Sequence, residues 1–140
     1  HWNMQRSRGN EPFSFSEVIR GDVGDRCKIF GDRNERKYSY VDRGFYARQL
    51  KELWRYFSRK QTLCIKQEEL LLNPELALSK VTGFLGVSPY LNLESSLEHT
   101  GDYLQAIDES DARYLQSLYL DDIKALEKLL NWDCSDWLIN

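Results

Sequence analysis

Thr62-Leu63-Cys64-Ile65-Lys66 is the one run in this 140-residue chain that combines β-favouring and apolar residues strongly enough to predict a strand. Its length and flanks suit a strand buried on both faces, as in a parallel sheet. A sheet cannot consist of one strand. Its partners must therefore lie outside this sequence or come from a second copy. Around it the pattern is helical. Upstream, Tyr46, Leu50, Leu53, Trp54 and Phe57 fall on one face at 3.6 residues per turn, and Arg48, Lys51, Glu52 and Arg55 fall on the other. This predicts a helix from about Asp42, its N-cap, to Phe57, with Tyr46 in the core. Downstream, Asn73 and Pro74 are a cap and first-turn pair, Ala77, Leu78, Val81, Phe84 and Leu85 make a buried stripe, and Gly86 fits the stop.

The ends of the chain are helical as well. Ser14 caps a short helix through Val18 and Ile19, and His1-Trp2-Asn3-Met4 has the look of a helix tail. Residues 21–37 and 87–106 are loops. Glu109 to Leu130 carries a long apolar stripe opened by Asp108, Glu109 and Asp111, within which Asp121 and Asp122 offer caps for a second helix. The fold class predicted is mostly α with one short parallel-type strand. The 140 residues make one domain-sized unit that begins at His1 and not at Met, which points to a piece of a longer polypeptide.

Composition narrows the classes. Apolar residues make up 41% and charged residues 29% of the chain, so disorder is excluded as its main state. No apolar run is long enough to span a bilayer, and no signal peptide is visible. Cys27, Cys64 and Cys134 are too few and too scattered for a disulfide scaffold or a zinc site, which favours reduced thiols. No metal-ligand spacing surrounds His1 or His99. The net charge of −3 conceals +6 over residues 1–60 and −9 over residues 61–140. Such a split marks either an anion-binding end or a mixed surface that neutralises itself in the fold.

Three segments in order resemble the C-terminal half of sulfotransferases that use 3′-phosphoadenosine 5′-phosphosulfate (PAPS), in particular the bacterial and heparan-sulfate types with a P-loop-like α/β fold. They are Arg43-Gly44-Phe45-Tyr46 with the helix after it; the run from Gln61 to Ile65 with Glu68-Glu69-Leu70, Asn73-Pro74 and Gly83-Phe84-Leu85-Gly86; and the tail with Leu126, Leu130, Trp132, Trp137 and Leu138. The resemblance implies sulfuryl transfer from PAPS to a hydroxyl or amine of a carbohydrate or small-molecule acceptor. It also implies that the phosphate loop, the 3′-phosphate contacts and the general base lie upstream of His1. No catalytic residue is then expected in this chain, which taken alone should be inactive and prone to self-association, and cofactor contacts remain unassigned. The family's basic cofactor loop would align near residues 92–107, where no Lys or Arg occurs and His99 and Gly101 are the nearest substitutes.

Acceptor-cleft candidates are Tyr38, Tyr40, Arg43 and Tyr46. The first two close a basic stretch with Lys28, Arg33, Arg36 and Lys37, which is either a guide for an acceptor or a solvated loop. For Arg43 the alternatives are a cleft contact and a packed ion pair. Interleaved Asp25, Asp32, Glu35 and Asp42 argue against nucleic acid. The competing class is a non-catalytic helical interaction module, against which the 62–66 strand counts. The cytoplasm is the expected compartment, or the Golgi lumen for a glycosaminoglycan-modifying member.

Overall fold

A computed structural model describes residues 2–25, 38–89 and 106–138. The chain divides into two compact units, one of residues 1–51 and 101–140, the other of residues 52–100.

In the first unit, α1 (Trp2–Ser7) and α2 (Phe15–Arg20) are short. They are tied by the Trp2 indole N–H, which donates to the Phe13 carbonyl at 3.3 Å, and by an edge-to-face contact of Trp2 with Phe15 at 5.4 Å. Helix α2 starts where Ser14 predicts: its hydroxyl accepts from Glu17 N while the Glu17 carboxylate accepts from Ser14 N, a capping box. The Ser14 side chain and backbone hold the Glu17 carboxyl below its usual range. Helix α3 (Tyr46–Leu53) follows a single 3-10 turn at Asp42–Gly44. It is therefore shorter than the predicted 42–57 segment. The apolar periodicity continues, but the backbone turns out of the helix after Leu53, with Tyr56 N and Phe57 N both donating to the Leu53 carbonyl.

The long helix α6 (Glu109–Leu130) is continuous through Asp121 and Asp122, so no second helix restarts there. Asp108 caps it, accepting from Ser110 N at 2.8 Å, and Asn131 ends it in the left-handed conformation at φ 53. The core of this unit is Ala47, Ile123, Leu126 and Cys134, with Leu50, Tyr119 and Trp137 packed at its edge. Asp111, one of the acids expected merely to open α6, is buried. It accepts from Ser16 Oγ at 2.9 Å and pairs with Arg20, whose guanidinium lies 4.6 Å over the Tyr114 ring. That cluster fastens α2 to α6, with both charges of the buried acid's surroundings satisfied.

In the second unit, α4 (Gln67–Leu72) packs on α5 (Pro74–Leu85). The punctuation is as predicted: the Asn73 side chain accepts from Leu76 N at 3.1 Å, Pro74 sits in the first turn, and Gly86 closes α5 at φ 68. Two expectations fail. Residues 62–66 are extended, with Thr62 at φ −128 and ψ 132, but pair with no strand among the described residues. A β-sheet needs a neighbouring backbone, and none of the described residues supplies one. The α5 stripe is not buried either. Ala77 is, but Phe84 is 41% exposed and Leu85 61% exposed.

Candidate functional site

In the first unit the turn from Val41 to Arg48 is held by two side chains one turn apart on α6. Tyr119 Oη donates to the Val41 carbonyl at 2.8 Å. Asp122 accepts from Ala47 N at 2.8 Å and from Arg48 N at 3.1 Å, one bond to each carboxylate oxygen. Asp42, the expected N-cap, lies in the 3-10 turn before α3, and the first free N–H groups of the helix are satisfied instead by an acid 75 positions downstream of Ala47. The negative charge also faces the positive end of the helix.

Sequence explains why the turn comes so close to α6. A Cβ on Gly44 would stand 2.5 Å from Tyr119 Cζ, so the approach requires glycine. Phe45 meets Tyr119 edge to face at 5.0 Å. On the outer side, Arg48 pairs with Asp42 at 2.8 Å and lies 4.7 Å over the Phe45 ring, while the Gln49 amide donates to the Arg43 carbonyl at 3.1 Å. Burial first, then Tyr46 and Asp42, push the Tyr119 hydroxyl up to about 12. It is therefore a donor throughout the physiological range.

The four candidate residues end in different places. Tyr38 is 2% exposed and counts among the buried side chains. Tyr40 is half-buried and donates its hydroxyl proton to Glu11 Oε2 at 2.9 Å, which satisfies a carboxylate that is 1% exposed. Arg43 stands exposed on the clamped turn. Tyr46, expected in the core, is 51% exposed, and its ring meets Trp137 edge to face at 6.2 Å. The helix puts Ala47 inward in its place. The clamp thus brings Arg43 and Tyr46 onto one ordered segment, while Tyr40 is engaged with Glu11 and Tyr38 is buried. Lys28, Arg33, Arg36, Lys37, His99 and Gly101 lie outside the described residues.

Among the described residues no group of His, Cys, Asp and Glu is arranged to hold a metal ion, and no helix is long and apolar enough to cross a membrane. The starts of α3, α5 and α6 are already occupied by Asp122, Asn73 and Asp108. An anion cradle needs unsatisfied N–H groups at such a start. These helix starts therefore do not fit a phosphosulfate, and no chemical step through one follows from them.

The fold in which this turn sits is similar to part of a solved sulfotransferase. A solved sulfotransferase from Alicyclobacillus acidocaldarius matches with a TM-score of 0.71 at 25% identity, covering 96% of this chain and 49% of that one. In sequence the chain is 30% identical over 156 residues to the bifunctional heparan sulfate N-deacetylase/N-sulfotransferase 3 of Mus musculus, covering 93% of this chain and 17% of that protein. It is 28% identical over 154 residues to the bifunctional heparan sulfate N-deacetylase/N-sulfotransferase of Drosophila melanogaster, covering 92% of this chain and 14% of that protein. No family model matches. The chain thus spans about half of the solved relative and under a fifth of the curated ones. These similarities support a sulfotransferase family for the chain.

Proposed function

We propose that the chain is the C-terminal part of a sulfotransferase domain that moves a sulfuryl group from PAPS to a hydroxyl or amine of a saccharide acceptor. The observation that carries this is the match to a solved sulfotransferase over 96% of the chain. The heparan sulfate enzymes among its relatives favour a saccharide over other acceptors. In this reading the donor-binding loop, the 3′-phosphate contacts and the base belong to a preceding segment. The present residues contribute the acceptor side, with the clamped turn at Arg43 and Tyr46 facing the acceptor. Taken alone, the chain transfers nothing, and it self-associates through the apolar surface of its second unit.

The test is to sequence the reading frame upstream of the His1 codon and assay the complete polypeptide. A Lys-x-Gly-Thr loop after an apolar strand is expected, together with transfer of labelled sulfuryl from PAPS to an N-deacetylated heparan-type saccharide. A frame without that loop, or a complete, folded polypeptide that transfers no label, overturns the proposal. A non-catalytic helical interaction module is the second reading, and the exposed leucines of α4 and α5 are the observation in its favour.

A further inference from the structure

We infer that the Tyr46–Trp137 pair is a stacking platform for a pyranose ring, and so a saccharide subsite of this chain. The inference rests on the proposed acceptor class but concerns binding and not transfer. Four observations carry it. First, Tyr46 is 51% exposed at a position in phase with Leu50 and Leu53, where the helical pattern calls for a core residue. About half of the Tyr46 side chain is left in water, and its stripe-mate Leu53 is 39% exposed. Second, that face is fixed. Tyr46 is the first residue of α3, and the N–H groups of the next two residues are held by the Asp122 carboxylate at 2.8 and 3.1 Å. Third, its neighbour is fixed as well, since the Trp137 indole packs against the core cluster of Ala47, Ile123, Leu126 and Cys134 and meets the Tyr46 ring at 6.2 Å with 61° between planes. Two rings at such an angle form a corner with an apolar floor and an apolar wall. Fourth, charges on the same turn are engaged locally: Arg48 is paired with Asp42 and rests over Phe45.

The C–H face of a pyranose is apolar and weakly positive, and an aromatic face is the complementary surface. A platform held rigid beforehand loses little conformational freedom on binding, which is what an otherwise small contact needs. Because the recognition is carried by ring faces, it should be nearly insensitive to salt, unlike an anion site. Asp122 is in this scheme a positioning residue: it touches no saccharide and fixes the helix start that carries Tyr46.

The experiment is a titration of the isotopically labelled 140-residue chain with an unsulfated glucuronic acid–N-acetylglucosamine tetrasaccharide, followed by amide and indole NMR shifts at low and at 0.5 M salt. Shifts should concentrate at Tyr46, Ala47 and the Trp137 indole. Tyr46→Ala should weaken binding about tenfold, a change of about 1.4 kcal/mol. Tyr46→Phe should bind within about twofold of the parent, since the ring and not the hydroxyl is used. Tyr56→Ala, which removes a tyrosine that is 73% exposed in the second unit, should change nothing. Asp122→Asn keeps the shape and loses the charge. If it stays folded by circular dichroism, its binding should weaken and Tyr46→Phe made on that background should restore none of it. No shift at Tyr46 and Trp137, equal effects of the Tyr46 and Tyr56 substitutions, or binding that vanishes in 0.5 M salt would each overturn the platform. The readout is independent of the donor loop. A complete frame lacking that loop sinks the proposed activity and leaves the platform standing, whereas an active enzyme that binds saccharide elsewhere does the reverse.

Discussion

The first unit buries much of what its sequence pattern marks as apolar, with Tyr46 an exception, and the described part of the second buries little. In the first, Val18, Ile19, Ala47, Ile123, Leu126 and Cys134 are buried, and α6 is long enough for other segments to pack along it. In the described part of the second, Ala77 is the buried side chain, while Leu72 is 87% and Leu71 58% exposed. The units use the same local devices equally well. Ser14 and Asn73 cap their helices, and Gly86 and Asn131 end theirs in the left-handed conformation. The difference lies in tertiary cover. Two short helices and an extended segment have too little surface to shield one another. Well-formed secondary structure is thus no sign of a completed core, and the leucines that the described part of the second unit leaves in water are the reason to infer that its surface is ordinarily covered.

The sharpest way to break the comparison is at Gly44. Gly44→Ala drives a Cβ to 2.5 Å from the Tyr119 ring, whose hydroxyl is bonded to the same turn. The expected loss is about 3 kcal/mol of stability in urea unfolding, the upper end for overpacking. A control glycine in the second unit, Gly83, has nothing within 4 Å of its added Cβ. Gly83→Ala lies within α5 and should stabilise by about 0.5 to 1 kcal/mol, so that the two substitutions have opposite signs. Equal effects would mean that the turn is not clamped.

Next in size is Asp122→Ala, which strands two backbone donors at the start of α3. About 1 to 2 kcal/mol should be lost, as for deletion of an N-cap. A double-mutant cycle with Tyr119→Phe would separate the two fingers of the clamp, which share the Val41–Arg48 turn. Tyr119→Phe alone removes the bond to the Val41 carbonyl and should cost about 1 kcal/mol near neutrality. It should also flatten the alkaline limb of stability. The folded hydroxyl titrates at about 12, above the ordinary value near 10. Its contribution is therefore present below about pH 10 and is lost as the pH rises towards 12, because the unfolded chain gives up the proton first. Thermal melts between pH 9 and 12 should fall for the parent and fall less for Tyr119→Phe.

How much of this was visible in the sequence depends on the range of the interaction. Caps and stops were legible because each is a partnership within three or four residues, as with Ser14 and Glu17 or Asn73 and Leu76. The clamp was not legible, because Asp122 partners Ala47 and Arg48 across 75 and 74 positions. Locally Asp122 has the signature of a helix start. Its acid does cap a helix, but a different one. Tyr46 and Tyr38 exchanged expected places for a related reason: periodicity says which residues share a face, and only packing says whether the face is covered. A glycine two residues before the tyrosine that starts a helix was the one signal that a ring from elsewhere approaches there, and it does not name the ring. The 62–66 segment is extended as its composition predicts, whereas strand status needs a partner that composition cannot supply.

The smallest effect on stability should come from the second unit, and it sharpens the contrast most directly. Leu72→Lys alters a side chain that is 87% exposed at the end of α4, and the expected change in unfolding free energy is within about 0.5 kcal/mol. Its effect on association should be large, because Leu72 is the most exposed of several leucines of this unit that stand in water. Light scattering on a sizing column should show the parent chain growing in mass with concentration and Leu72→Lys remaining monomeric over the same range. Met4→Lys makes the matched change in the first unit, at a position 39% exposed, and should leave association as it was. A parent that stays monomeric to high concentration would mean that leucines standing in water are tolerated by this unit as they are, and the inference that its surface is ordinarily covered would fall with it.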